Sequence, residues 1–275
     1  MITLVNGVET DQVSVADRGF QYGDGLFETI AVYQATPLLW ASHIQRLRHG
    51  CRRLSLDMPD ESVLREETVR AVGDAQRAVV KITLTHGAAG RGYARVAWSP
   101  PTRVISARHW PNYPVEHAQV GVAVRWCRTT VGRSAYLAGV KHLNRLTQVL
   151  ARAEWGTDFA EGLLCDEAGF VIEGTMSNVF AVFGDTLITP DLSQSGVAGV
   201  MRAEVLRVAP GCGLTCREDW ITPTTLESAD ELFLTNSIIG VWPIRTLATR
   251  SYTIGQATHT IQKTIEAAQC FAPAD

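Results

Sequence analysis

Lysine is scarce in this chain. Of 25 basic residues only Lys81, Lys141 and Lys263 are lysines, and 22 are arginines. Arginine stays charged at any accessible pH and cannot serve where an amine must shed its proton and attack a carbonyl. Lys141, which lies just ahead of a helical pattern, is therefore a candidate for amine chemistry. A basic excess is also missing: the net charge is −3, which gives no electrostatic footprint for nucleic acid or an anionic membrane. No segment reaches the roughly 20 apolar residues of a membrane span. The start, Met1 to Gly7, has no basic region and no long apolar run, so no signal peptide is expected. Six cysteines, Cys51, Cys127, Cys165, Cys212, Cys216 and Cys270, follow no framework, which suits a reducing cytoplasm. There is no His-Glu-x-x-His and no Cys-x-x-Cys, so no metal site is expected. There is no Gly-x-Ser-x-Gly elbow, and the glycine-rich stretch Gly87 to Tyr93 lacks the Lys-Ser/Thr ending of a nucleotide P-loop.

What is present suits a globular protein that buries a sizeable core. The chain has 275 residues, 46% apolar and 19% charged, enough for two domains of ordinary size. Residues 2–5 read as a strand turned by Asn6-Gly7. A polar, glycine-dense stretch, Asp17 to Gly25, leads into a strand over 26–33. There Leu26, Glu28, Ile30 and Val32 share one face and Phe27, Thr29, Ala31 and Tyr33 the other. A carboxylate within an apolar face needs a partner, or a place at the strand mouth. Helices are expected over 42–55, capped by Ser42, and over 61–71; strands over 78–85 and 103–108. Trp110-Pro111-Asn112-Tyr113-Pro114 reads as a linker. Beyond it come an alternating strand from Val120 to Trp126, a helix starting near Asn144, extended segments over 162–166 and 170–180, and a helix over 199–208. A short helix opens at Thr222-Pro223, a strand covers 231–235, and a closing helix runs over 255–270. Strands and helices alternate in both halves, which predicts an α/β (α+β) protein of two mixed domains: 1–110, a linker over 111–118, and 119–275.

Lys141 stands between the small residues Leu137-Ala138-Gly139-Val140 and the helical pattern that follows. A lysine that condenses with an aldehyde can hold pyridoxal phosphate. That cofactor also needs an acid at its ring nitrogen and donors for its phosphate. Glu173 is a plausible acid, placed after Val171-Ile172 and before a glycine. Gly199-Val200-Met201 opens a helix, where free N–H groups and the dipole favour an anion. Arg46 could add a bidentate contact and Ser237 a hydroxyl. Surface roles remain open for every one of these residues taken singly.

Taken together, several stretches resemble a known family. Asp17 to Glu28, His43-Ile44-Gln45-Arg46-Leu47, Glu173 to Phe180, and Gly199-Val200-Met201-Arg202 resemble the fold-type IV, class IV aminotransferase-like pyridoxal-phosphate enzymes. That family holds branched-chain and D-amino acid aminotransferases and 4-amino-4-deoxychorismate lyases. Gly90-Arg91-Gly92-Tyr93 and Leu137 to Leu150 look most like the lyases. The resemblance implies a D-amino acid aminotransferase-like fold, pyridoxal 5'-phosphate as cofactor, 4-amino-4-deoxychorismate as small-molecule substrate, and a homodimer. It implies that Lys141 forms the Schiff base and transfers the proton, and that Glu173 pairs with the pyridine nitrogen. Arg46, the backbone of Val200 and Met201, and Ser237 would hold the phosphate. Arg91 and Tyr93, with Phe27 and Glu28 of the N-terminal motif, would meet the substrate. Met201 stands where many aminotransferases have Thr, so one phosphate hydroxyl is absent.

Overall fold

The computed structural model describes residues 1–88, 90–95, 99–268 and 270–271. Ala89 of the glycine-rich loop and Gln269 of the expected closing helix lie outside them. Contacts divide the chain into two compact units: Met1–Pro111 with Val140–Asn144, and Asn112–Gly139 with Arg145–Asp275. The division falls within the expected linker, but the five residues around Lys141 belong with the first unit. They are far from it in sequence and joined to it by backbone hydrogen bonds.

The first unit is built on a six-stranded sheet. Its elements are β1 (Thr3–Val5), β2 (Val8–Glu9), α1 (Arg18–Tyr22), β3 (Gly25–Tyr33), β4 (Thr36–Pro37), α2 (Trp40–Leu54), α3 (Glu61–Val72), β5 (Arg77–Thr85) and β6 (Thr102–Arg108). The strand order is β2-β1-β6-β5-β3-β4, and every pairing is antiparallel. Alternation along β3 and β5 buries Leu26, Ile30, Val32, Val80, Ile82 and Leu84 with the Ile44–Leu47–Cys51 stripe of α2. Asp17 caps α1 and Asp60 caps α3 through their carboxylates. Helix α2 differs from expectation. It starts at Trp40, not after Ser42, and Leu39 precedes it in a left-handed conformation with no side-chain cap. Burial of Trp40 and Ile44 supplies what a cap would have supplied.

The second unit holds a nine-stranded mixed sheet. Its elements are α4 (Glu116–Gln119), β7 (Val122–Trp126), α5 (Leu146–Arg152), β8 (Glu161–Cys165), β9 (Val171–Gly174), β10 (Asn178–Phe183), β11 (Thr186–Pro190), α6 (Val200–Val208), β12 (Thr215–Asp219), α7 (Pro223–Glu227), β13 (Glu231–Asn236), β14 (Gly240–Leu247), β15 (Arg250–Ser251) and α8 (Gln256–Ala267). The order is β12-β11-β10-β13-β14-β7-β8-β9, with β15 on β14. Pairs β11–β12, β14–β7 and β7–β8 are parallel. Thr222 caps α7 by accepting from the Thr225 N–H, with Pro223 in the first turn. Two boundaries depart from expectation. Val120 is the exposed C-cap of α4, so β7 begins at Val122. Helix α5 begins at Leu146, because Asn144 turns its amide to the carbonyl of Gly23 instead of opening the helix.

Candidate functional site

In the first unit the candidate residues gather on β3. Val140–Asn144 lies along the start of that strand as an extra edge. The Phe27 N–H donates to Lys141 O at 3.0 Å, and the Leu143 N–H donates to Gly25 O at 2.9 Å. Leu26 and His142 form the bridge between them. Backbone pairing to a central strand fixes Lys141 more firmly than a free loop would. Its Nζ lies 4.4 Å from the centre of the Phe27 ring. Lys81, on β5, brings its own Nζ to 4.9 Å from the same centre. Two of the three lysines thus meet one aromatic ring, a juxtaposition that β3–β5 register creates and linear spacing does not display.

Beneath this face lies a buried charge cluster. Glu28 is 1% exposed. Arg46 of α2 donates to it through Nε (2.8 Å) and Nη2 (2.5 Å), and His43 Nδ1 lies 2.7 Å from Oε2. Burial is the largest influence on the Glu28 carboxyl and opposes its ionisation. The charge and fork of Arg46 and the bond to His43 outweigh it and hold the pKa at about 2. Burial likewise dominates at His43 and pushes its pKa down. The Glu28 carboxylate resists this, while the positive charges of Arg46 and Lys141 add to it. A neutral His43 with its proton on Nδ1 satisfies the carboxylate, and its Nε2 has no partner among the described residues. Glu28, expected to meet the substrate, has its oxygens enclosed and engaged by three nitrogens. Arg46 remains 12% exposed at its side chain while two of its nitrogens are anchored.

Arg91 and Tyr93 lie in the described 90–95 loop of the same unit, and both are exposed. The Tyr93 ring packs edge-on against Tyr22 at 5.4 Å.

The second unit carries the remaining candidates. Glu173, on β9, is 4% exposed, and its Oε2 accepts the Val197 N–H at 2.8 Å. Arg145, not singled out from sequence, is half-buried; desolvation lowers its pKa, and the Glu173 charge partly restores it. The residues after Glu173 turn back sharply around Glu161, which is 1% exposed. That carboxylate accepts from the backbone N–H groups of Gly162, Thr175 and Met176 and from the hydroxyls of Thr175 and Ser177. Asn178 then donates to Val197 O at 2.9 Å. Helix α6 starts at Val200 behind Gly199, with no side chain capping its first amides. A Cβ on Gly199 would lie 2.0 Å from Asn178 Oδ1, so only glycine fits there. The Met201 side chain is in the core, and only its backbone can serve an anion. Ser237 follows β13 in a turn closed by Asn236 Oδ1, which accepts from the Ile238 and Ile239 N–H groups.

These residues fit pyridoxal phosphate. A buried carboxylate with one oxygen held by a backbone amide suits a protonated ring nitrogen, and an uncapped helix start suits a phosphate. Cysteine chemistry does not compete: burial pushes Cys51 and Cys127 up to about 12 and Cys165 to about 11, so these thiols stay protonated.

The model of the amino-transferase class IV family matches residues 25–247. The chain belongs to the class IV aminotransferases. Among relatives of this class IV chain, an aminodeoxychorismate lyase of Vibrio harveyi is 35% identical over 94% of the chain and 97% of the relative. A putative branched-chain-amino-acid aminotransferase of Methanocaldococcus jannaschii is 32% identical over 89% of the chain and 87% of the relative. The solved 4-amino-4-deoxychorismate lyase of Pseudomonas aeruginosa superposes with a TM-score of 0.94 and 43% identity, covering 98% of this chain and 100% of that one. The fold-type IV expectation holds, with one refinement: only the second unit's sheet is mixed.

Proposed function

We propose that this class IV enzyme is a pyridoxal-phosphate-dependent lyase that converts 4-amino-4-deoxychorismate to 4-aminobenzoate and pyruvate, a step toward folate. The observation that carries this reading is the near full-length likeness to two aminodeoxychorismate lyases, one by sequence and one by structure. When bound, pyridoxal phosphate supplies an aldehyde for an amine and a cationic ring that accepts an electron pair. Lys141 holds the cofactor and then, as the free amine, takes the proton from the carbon bearing the substrate nitrogen. Glu173 keeps the ring nitrogen protonated. Arg46, the amides of Val200 and Met201, and Ser237 hold the phosphate. Glu28 keeps Arg46 in place.

The carbon–oxygen bond to the enolpyruvyl group breaks, the substrate ring becomes aromatic, and the departing enolpyruvate takes up a proton to become pyruvate. Atoms balance without water or an amino acceptor. Two substrate carboxylates call for cations; Arg91, with Tyr93 beside it, supplies one, and Lys81, over the Phe27 ring, supplies another. The family likeness and the exposed apolar side chains of α5 support a homodimer. Six unpaired cysteines support a cytoplasmic location. No helix among the described residues is long and apolar enough to cross a membrane.

Incubation with 4-amino-4-deoxychorismate alone should release pyruvate stoichiometrically with 4-aminobenzoate. A second reading, an aminotransferase, is favoured by the archaeal relative. Steady glutamate formation from an amino acid and 2-oxoglutarate, without pyruvate release from aminodeoxychorismate, would establish that reading in place of the lyase.

A further inference from the structure

Helix α1 is only five residues long, yet it carries a guanidinium of a residue that is 4% exposed. Arg18 Nε donates to Asp24 Oδ2 at 2.9 Å. Its Nη1 donates to Gly92 O at 3.0 Å and Ala94 O at 3.4 Å, and its Nη2 to Tyr93 O at 3.1 Å. One cation therefore closes on three successive carbonyls of the 90–95 loop. Water would satisfy those carbonyls as well, so the arrangement gains order more than bonding. Three neighbouring carbonyls converge on one group in few backbone conformations, and here Gly92 adopts φ +87°.

The same segment is held from other directions. Arg95 donates to Asp24 Oδ1 at 2.9 Å and to Leu54 O at 2.6 Å. Tyr93 packs on Tyr22, and the Arg18 guanidinium lies 5.1 Å from the centre of that Tyr22 ring. Asp24, with His86 Nδ1 at 2.9 Å, ties both arginines together. Arg18 holds the backbone at residues 92–94 and Arg95 reaches the Leu54 carbonyl, and among the described residues none of these contacts uses the side chain of Arg91.

We propose that Arg18 is a positioning residue for substrate recognition: its fork on the carbonyls of Gly92, Tyr93 and Ala94 presets the loop, so that Arg91 meets a substrate carboxylate without ordering the loop at each encounter. The proposal rests on the reading of Arg91 as a carboxylate contact. Ordering done in advance lowers the cost of binding. Lysine cannot reproduce the effect, because its donors radiate from one nitrogen and span no planar fork.

The test uses the holoenzyme with Arg18→Gln and Arg18→Lys, beside Arg103→Gln as a control. Arg103 sits in a buried pair with Glu67, so its loss destabilises the same unit without touching the loop. Replacing Arg18 leaves Asp24 with Arg95 and His86, so no buried charge is orphaned. Arg18→Gln should raise KM for 4-amino-4-deoxychorismate about tenfold or more. The kcat and the visible spectrum of the bound cofactor should stay near wild type, and amide exchange at residues 92–95 should accelerate. Arg18→Lys should show the same pattern, and decides the matter if the glutamine variant does not fold. An unchanged KM in a folded Arg18 variant overturns the proposal. So does an equal rise in Arg103→Gln at a matched loss of Tm. Arg91→Ala separates the two ideas: raised KM there with unchanged KM in Arg18→Gln defeats the clamp alone. The reverse pattern, with faster loop exchange, defeats only the assignment of Arg91 and keeps Arg18 as the residue that sets this loop.

Discussion

A carboxylate at 1% exposure is stable only as part of a set, and Glu28 shows which set. Its depressed pKa fixes the sign of its pH dependence. The folded value, about 2, lies below the ordinary value of 4.5, so its contribution is complete above 4.5 and disappears as pH falls through 2. His43 acts at higher pH. Its folded pKa is also depressed, here from 6.5, so an unfolded chain takes up that proton first and stability begins to fall as pH drops below 6.5. Denaturant midpoints across pH should therefore decline from 6.5 downward. His43→Asn, which keeps a donor near Nδ1 but cannot charge, should flatten the upper part of that decline; an unaltered profile would contradict this account. Glu28→Gln should cost about 3–5 kcal/mol, since it leaves the Arg46 guanidinium without its anion. Equilibrium unfolding in urea reads that difference.

The start of α6 carries a tight geometric constraint. Gly199→Ala would force a Cβ to within 2.0 Å of Asn178 Oδ1, so the helix start must shift. Amides to an anion are worth roughly 1.5–3 kcal/mol each. Titration of apoenzyme with pyridoxal phosphate should show affinity weakened by about tenfold or more; wild-type affinity would remove α6 from the phosphate site. Elements with a clear extended pattern were legible in advance: β3, β5, β6 and β13 lie within a residue or two of their expected ranges, whereas the segment expected over 170–180 is split into β9 and β10 by the turn after Gly174. Helix α7 was legible because Thr222-Pro223 states both its cap and its first turn. Strand β14 was not, because Pro243 lies inside it and a proline reads against a central strand. Its ladder accommodates the proline opposite Phe233, and the register slips just beyond, between Ile244 and Thr246. Lys141, Glu173 and the α6 start could be named from local sequence and family likeness. Arg18, His43, Lys81, Arg145 and Glu161 could not, because their partners arrive from other strands and loops.

At the scale of the molecule, helix α5 turns apolar side chains outward: Leu146 is 69%, Val149 60% and Leu150 55% exposed. The chain's own core does not take them up. The homodimer proposed above uses such a face. Leu146→Glu with Leu150→Glu should shift sedimentation toward the monomer while leaving the fold intact by circular dichroism; a persistent dimer would show that α5 is not part of the interface. The whole functional account depends on which amine carries the cofactor. With only three lysines the choice is small. The holoenzyme should be reduced with borohydride, digested and mapped by mass spectrometry. The account requires the pyridoxyl group on Lys141; its appearance on Lys81 or Lys263 instead would contradict it.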